Sequence, residues 1–196
     1  MVVTSQIMSL EDYFNYDDDT ETRYELEDGE LLIMAPERDL NLRIASFLFA
    51  YFLQQGIPSY RLRIGTEIVV TGTRATVRLP DLMILTEELA TALKSASRST
   101  VTMDMPPPQL VVEVVSPGKK NRNRDYRYKR SQYQARGISQ YWIVDPIEQQ
   151  ITVLSLVEGL YEETIFKGND AIASSILSTL NVTSQLTVTK VLQETL

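Results

Sequence analysis

An acidic residue inside an apolar run is the feature that most constrains how this chain can fold. Residues 110–115 read Leu-Val-Val-Glu-Val-Val, and a short run of this kind predicts a strand that is buried on both faces of its sheet. A lone ionised carboxylate would be very costly in that environment. Glu113 must therefore be paired, protonated, placed at a sheet margin or bound to a cation.

The remaining patterns predict one α/β domain over residues 1–196, with a mixed sheet that carries helices on its faces. Residues 23–34 predict an N-terminal β-hairpin with Asp28-Gly29 in its turn. Helical spacing of apolar residues predicts a long helix over 40–53, and a basic helix is expected over 121–136. Residues 184–192 fit either a helix or a strand. The other predicted elements are a short helix capped by Ser9, one helical turn near Glu87, and strands at 61–71, 80–85, 109–115, 141–144, 151–156 and 161–166.

The composition excludes several kinds of chemistry. The sequence contains neither cysteine nor histidine, which excludes disulfides, thiol catalysis, metal sites built from Cys or His, and the Ser-His-Asp triad. Carboxylates, lysine, arginine, tyrosine and hydroxyl groups remain available for catalysis. Oxygen ligands of this type suit Mg²⁺ or Mn²⁺.

The N-terminal residues contain no basic region before an apolar stretch, so they do not predict a signal peptide. The most apolar helical stretch, residues 44–53, is too short to cross a bilayer. A cytoplasmic protein with no membrane attachment is the expectation.

Charge is distributed very unevenly along the chain. The net charge is −7, but residues 1–60 carry −9 while residues 119–136 carry +7. The whole-chain value argues against a nucleic-acid-binding protein, whereas the basic segment favours phosphate contacts. A solvated helix face is the structural alternative for that segment.

A second carboxylate stands at the start of another apolar strand. Asp81 directly follows Pro80, and a simple Pro-Asp turn is the structural alternative for it. Two strands of one sheet, each presenting one carboxylate, can bring both to a single ion. Mg²⁺ often uses one or two protein carboxylates and completes its shell with water and phosphate.

Two cations of the basic helix compete for the position that faces the sheet. Lys129 lies within about 60° of Tyr126 and Tyr133 at helical spacing, which places it near the buried stripe. Arg130 lies on the other flank of that stripe, so the spacing leaves the choice open. Asp125 can pair with Lys129 four residues later, and a solvated or snorkelling lysine is the alternative.

The order of these motifs resembles the Uma2 family of restriction-endonuclease-like proteins in the PD-(D/E)XK nuclease superfamily. The resemblance covers roughly residues 10–160. It is carried by Tyr24-Glu25-Leu26-(x)2-Gly29-Glu30, Pro80-Asp81, Leu110 to Pro117, Asp125-(x)3-Lys129-(x)3-Tyr133, Gly137-Ile138 and Tyr141 to Pro146.

The resemblance implies a restriction-endonuclease-like fold, which is a mixed β-sheet flanked by helices with an N-terminal β-hairpin. It also implies a metal-dependent endonuclease that hydrolyses phosphodiester bonds of nucleic acid, with DNA as the expected substrate. Asp81, Glu113 and the carbonyl of Val114 would hold Mg²⁺ or Mn²⁺, and Glu25 is a further candidate ligand.

The chain departs from the superfamily pattern at the catalytic lysine. That lysine is usually two residues after the motif Glu, where this chain has Val115, so the helix-borne Lys129 becomes the candidate. Family members also often carry a histidine near the start of the long helix, and the corresponding position here is about Asn41.

The expected mechanism uses the ion to activate water, with Lys129 orienting that water or offsetting charge on the phosphate. A non-catalytic nucleic-acid-binding or regulatory module on the same fold is the main alternative. A third reading is an oligomeric domain whose basic helix packs on the acidic surface of a second copy, and a homodimer is expected. The side chains predicted to contact phosphates are those of Lys119, Lys120, Arg122, Arg124, Arg127 and Arg130.

Overall fold

The computed structural model describes residues 7–20, 22–34, 36, 38–179 and 185–193. The helices are α1 (Leu10–Phe14), α2 (Asp39–Gln54), α3 (Glu87–Lys94), α4 (Lys119–Asn123), α5 (Arg130–Ala135), α6 (Ser175–Thr179) and α7 (Val188–Gln193), with a 3₁₀ turn at Ser59–Arg61. A π-helical segment, Arg124–Lys129, joins α4 to α5. The strands are β1 (Tyr24–Glu27), β2 (Glu30–Ile33), β3 (Leu62–Arg63), β4 (Glu67–Val70), β5 (Thr76–Arg78), β6 (Leu82–Ile84), β7 (Thr100–Val101), β8 (Leu110–Val114), β9 (Gln140–Asp145), β10 (Gln150–Val157) and β11 (Leu160–Lys167).

The strand that contains Glu113 lies inside a six-stranded mixed sheet of order β11-β10-β9-β8-β6-β3. β8 pairs in parallel with β9 and antiparallel with β6, and all five of its residues are buried. Side chains alternate between the two faces of a strand. Val112 packs in the core with α2 and α7, whereas Val111 packs in the core with α3 and α5. The expectation of helices on both faces is confirmed, and Glu113 shares the α5 face with Val111.

The N-terminal hairpin belongs to a second sheet of order β2-β1-β5-β4-β7. β1 and β2 pair in antiparallel register, and the turn residues Asp28 and Gly29 have φ values of 49° and 83°. Two successive positive φ angles are typical of a type I′ hairpin turn. The predicted hairpin is therefore confirmed, and β1 connects it to β5 through the Leu26–Val77 pair.

The prediction of one strand over residues 61–71 was wrong. β3 pairs with β6 in the six-stranded sheet, whereas β4 pairs with β5 and β7 in the other sheet. Gly65 lies between β3 and β4 with φ of +77°, a conformation that glycine adopts without the strain of a side chain. The chain therefore passes from one sheet to the other within residues 61–71, although the β-branched residues of this stretch predict a single strand.

Two further elements were missed or shortened in the sequence-based prediction. β5 was not predicted, because three residues ending in a charged arginine carry little strand signal. The stretch 86–106 holds an eight-residue α3 whose N-cap Thr86 accepts the amide of Leu89, followed by β7, rather than one helical turn. In the uncertain tail, residues 188–193 form α7, and residue 184 lies outside the described residues.

The two long predicted helices are confirmed with small changes in their bounds. α2 covers Asp39–Gln54, and the basic helix runs through α4, the π-helical segment and α5. A bilayer-crossing helix is not found in the part of the chain that the structure describes, where every helix is too short or too polar.

Candidate active site

A cavity of about 650 Å³ lies between the start of α2, the N-terminal hairpin and the end of β8. It brings together four residues that the sequence singled out, from three stretches that are far apart along the chain. These are Asp81, Glu113, Val114 and Lys129, and the lining also includes Asn41, Ser116 and Arg124. Glu25 is not among the lining residues.

Glu113 is held by two side chains of the basic helix. Lys129 Nζ lies 2.7 Å from Glu113 Oε2, and the Tyr133 hydroxyl donates to Glu113 Oε1 at 2.6 Å. The alternation of β8 explains this arrangement, since Glu113 points to the face that α5 covers. Of the possibilities for Glu113 that the sequence left open, the structure shows a paired carboxylate.

Burial sets the protonation behaviour of this group of residues. It raises the pKa of Glu113, and the opposing effect of Lys129 does not cancel that shift. Burial alone would lower the pKa of Lys129, but the carboxylates of Glu113, Glu25 and Asp125 outweigh it and raise the pKa. Burial together with Glu113 raises the pKa of Tyr133 well above its ordinary value. The lysine therefore stays charged, and the tyrosine stays a neutral donor.

The choice between Lys129 and Arg130 is made by the helix geometry. Lys129 is buried against Glu113, whereas Arg130 points away and its Nη1 lies 2.5 Å from Glu163 Oε2 on β11. The π-helical segment ends at Lys129, and its i→i+5 bonding turns residues through a smaller angle than α-helical spacing does. Spacing counted on an ideal α-helix could not settle this orientation.

Asp81 lies at the end of the β6–β8 ladder. Leu82 pairs with Val112, so continuing the register by one residue places Asp81 opposite Glu113. Residues in such opposite positions have Cβ atoms about 4.5–5.5 Å apart. Asp81 Oδ2 accepts the amide of Val114 at 2.6 Å, which ties the first carboxylate to the strand that carries the second.

Asn41 stands at the position where the resembled family often has a histidine, and it reaches the same strand end. Its Nδ2 donates to the Val114 carbonyl at 3.2 Å and to Ser116 Oγ at 2.9 Å. The amide and the carbonyl of Val114 are thus both bound by cavity side chains. α2 is thereby tied to the end of β8 next to Glu113.

A buried arginine that the sequence reasoning missed connects the hairpin to this site. Arg78 Nη1 lies 3.2 Å from Glu25 Oε2, and Nη2 lies 2.9 Å from Glu27 Oε1. Arg78 Nε donates to Gln132 Oε1 on α5 at 3.0 Å. Nothing in the residues around Arg78 signalled this role, because its partners are more than fifty positions away.

Glu25 lies behind the cavity beside Lys129. Its Oε1 accepts the amide of Leu79 at 3.0 Å and lies 3.8 Å from Lys129 Nζ. Burial opposes its ionisation, but the charges of Lys129 and Arg78 outweigh that effect and lower the pKa of Glu25. In this position Glu25 is a second buried carboxylate beside the lysine.

The oxygen donors of the cavity match the preference of a hard divalent cation. Within the described ranges, no group of three or more acidic residues is arranged to hold a metal. Asp81, Glu113 and Val114 line the same cavity, and the Val114 carbonyl accepts a hydrogen bond from Asn41, another lining residue, at 3.2 Å. Mg²⁺ commonly takes only one or two protein carboxylates, so this donor set fits it.

The basic segment divides into exposed and engaged side chains. Lys119, Lys120 and Arg127 are exposed. Arg122 Nε lies 3.7 Å from Asp145 Oδ2, and its guanidinium lies 4.8 Å from the centre of the Tyr126 ring. Arg124 lines the cavity and pairs with Asp125 at 3.4 Å. The predicted phosphate-contacting residues thus lie partly at the cavity and partly on the open surface beside it.

Comparison with known proteins identifies a family and a structural neighbour. The family model described as "Uma2: Putative restriction endonuclease" matches residues 10–189. The chain is similar to a solved structure described as a "putative nuclease belonging to DUF820" from Anabaena variabilis, with a TM-score of 0.69 and 13% identity over 96% of this chain and 99% of that one. At that identity the likeness shows the fold, and it confirms the expected fold class. No curated protein matches the chain.

Proposed function

The chain belongs to the Uma2 family of restriction-endonuclease-like proteins, and we propose that it is a metal-dependent endonuclease that hydrolyses phosphodiester bonds, with DNA as its substrate. One observation carries the proposal. The cavity unites two carboxylates, a main-chain carbonyl and a charged lysine from three separate stretches of the chain. The carboxylates and the carbonyl supply ligands for a divalent cation, and the lysine supplies a positive charge beside the reacting phosphate.

Asp81, Glu113 and the Val114 carbonyl would hold Mg²⁺ or Mn²⁺. The bound ion supplies Lewis-acid polarisation of the phosphate and lowers the pKa of a bound water. Tyr133 keeps the Glu113 carboxylate in one orientation through its 2.6 Å hydrogen bond. Asn41 and Asp81 keep the backbone of Val114 turned toward the cavity.

Lys129 and Arg124 provide the positive charge of the site. Lys129 orients the attacking water or offsets charge that develops on the phosphate oxygens. Nearby acids, with Asp125 foremost, raise the pKa of Arg124 despite its burial, so it remains a cation that can hold a non-bridging phosphate oxygen. Lys119, Lys120 and Arg127 extend this field along the exposed surface, where phosphate contacts add affinity without sequence information.

The direct test is cleavage of supercoiled plasmid with Mg²⁺ or Mn²⁺. Asp81→Ala, Glu113→Gln and Lys129→Ala are each expected to lower the rate by about a hundredfold or more, the usual effect of removing one group that stabilises a transition state. Glu162→Gln and Lys167→Gln change exposed charges on β11 and serve as matched controls that retain activity. Equal rates for the wild type and all three site variants would refute the assignment.

A second function, nucleic-acid binding without catalysis, is favoured by one observation. Lys129 Nζ lies at 2.7 Å from a carboxylate that the proposed metal would need, so the lysine itself neutralises that ligand. This alternative predicts salt-dependent binding of nucleic acid that is unaffected by Mg²⁺ and is followed by no cleavage. Binding assays with and without Mg²⁺, run beside the plasmid assay, separate the two functions.

A further inference from the structure

We propose that Lys129 is a displaceable counter-ion, which neutralises Glu113 while the site is metal-free and moves to a second position between Asp125 and Glu25 when a divalent cation binds. This inference rests on the proposed metal-dependent function. It assigns to Asp125 and Glu25 the role of positioning residues for the lysine rather than that of metal ligands.

Glu113 already has a hydrogen-bond partner on each side of its carboxylate. Both of its oxygens accept a donor, because Tyr133 binds Oε1 at 2.6 Å and Lys129 binds Oε2 at 2.7 Å. Each carboxylate oxygen has two lone pairs, so a cation can bind Glu113 directly, but only beside one of these donors. A dication repels the ammonium group but not the neutral tyrosine hydroxyl, so Lys129 is the donor that leaves.

Lys129 and its three carboxylate neighbours are buried. The side chains of Lys129, Glu113, Glu25 and Asp125 are each 5% exposed or less. Solvent screens charges poorly at such burial, and an unpaired buried ammonium would be very costly. The displaced lysine therefore needs a carboxylate within reach inside the protein.

Two carboxylates other than Glu113 lie close enough to receive the displaced lysine. Lys129 Nζ lies 3.7 Å from Asp125 Oδ1 and 3.8 Å from Glu25 Oε1, so a shift of about 1 Å brings either contact into hydrogen-bonding range. Asp125 Oδ2 is buried and has no hydrogen-bond partner among the described residues. Buried polar atoms are rarely left unpaired, so the Asp125 carboxylate has spare acceptor capacity for an approaching lysine.

The second position is anchored from both sides. Arg78 and the amide of Leu79 hold Glu25 on the hairpin side. Asp125 lies on the π-helical segment, and its carbonyl accepts the Tyr141 hydroxyl at 3.0 Å. The lysine can thus exchange partners while the surrounding backbone stays in place.

The test is a titration of the full chain with Mn²⁺, followed by calorimetry and by the electron paramagnetic resonance signal of free Mn²⁺, without nucleic acid. Lys129→Met removes the competitor for Glu113. It should tighten Mn²⁺ binding by roughly ten- to a hundredfold, the range expected for one charge-assisted hydrogen bond. Unchanged or weaker binding by Lys129→Met would overturn the inference.

Asp125→Asn distinguishes a positioning residue from a metal ligand. It should weaken Mn²⁺ binding when Lys129 is present, because the displaced lysine loses its second position. In the Lys129→Met background the same change should cost much less, so the two substitutions are coupled in a double-mutant cycle. An equal loss in both backgrounds would make Asp125 a ligand and overturn its assigned role.

The double variant, Lys129→Met with Asp125→Asn, is also a control for folding, because it removes one positive and one negative buried charge together. If Lys129→Met alone does not fold, the double variant should still bind Mn²⁺ more tightly than the wild type. If the wild type binds Mn²⁺ and cleaves nucleic acid but neither variant binds Mn²⁺ more tightly, the counter-ion role of Lys129 is refuted. The proposed nuclease activity is not refuted by that result. A lack of Mn²⁺ binding by every protein would refute both proposals.

Discussion

The Tyr133 hydroxyl lies 2.6 Å from Glu113 Oε1, four residues beyond the lysine that holds the other oxygen of the same carboxylate. One helix therefore binds both oxygens of a carboxylate buried in the central strand. The arrangement places the ionisation and orientation of Glu113 under the control of two side chains that can be changed independently.

Tyr133→Phe should move the acid limb of the pH–rate profile to higher pH. The hydroxyl stabilises the ionised form of Glu113 and opposes the increase of its pKa by burial, so its loss raises that pKa further. Since metal binding needs the ionised carboxylate, activity should fall off at a higher pH than in the wild type. Stability should decrease by about 1–2 kcal/mol.

The matched control for this prediction is Tyr161→Phe. Tyr161 donates to the Ile138 carbonyl at 2.9 Å, so the variant deletes a buried hydroxyl from the same helix-covered core without touching Glu113. It should lose stability but keep the wild-type profile. A profile that shifts equally in both variants would contradict the proposed link between Tyr133 and Glu113.

Arg78→Met should be strongly destabilising, by about 3–5 kcal/mol in urea denaturation, because it leaves Glu25 buried with one of its two cationic neighbours missing. The double variant Arg78→Met with Glu25→Gln should recover part of that loss, since it removes the unpaired charge. Arg43→Met is the control, because Arg43 pairs on the exposed surface of α2 with Asp39 and exposed pairs contribute little. No recovery in the double variant would show that Arg78 acts through packing alone.

Stability should fall on acidification partly through Glu67, which does not line the cavity. Burial opposes its ionisation, but hydrogen bonds from Arg98, Thr100 and Tyr13 outweigh it and lower the pKa. A depressed folded-state pKa contributes stability above the unfolded value of about 4.3, and that contribution is lost as the pH falls through the folded value. Thermal melts of Glu67→Gln should therefore show a lower melting temperature at pH 7 and a weaker dependence on pH below about 4.5.

Lys119→Gln combined with Lys120→Gln should weaken nucleic-acid binding without regard to sequence. Each lysine that contacts a phosphate contributes about one unit to the slope of log affinity against log salt concentration, so the slope should decrease by up to about two. Fluorescence anisotropy over a range of NaCl concentrations measures this. Lys94→Gln, on α3, is the control, and an equal effect of that variant would show that net charge rather than the basic segment governs binding.

The amino-acid sequence determined the elements whose signals are local. Three such elements were predicted close to their observed bounds, namely the apolar run at residues 110–115, the Asp28-Gly29 turn and the apolar spacing of α2. Each of these signals depends only on residues that are close together in the sequence. The motif order also singled out Asp81, Glu113 and Lys129 as candidates, and the structure brings them to one cavity.

Only the tertiary structure decided the contacts between distant segments. It separated β3 from β4 at Gly65 and buried Arg78 against Glu25, a residue 53 positions away. It also turned Lys129 rather than Arg130 toward Glu113. The physical reason is that hydrophobic periodicity reports whether a residue is buried, whereas the partner of a buried charge depends on sheet register, strand order and helix phase.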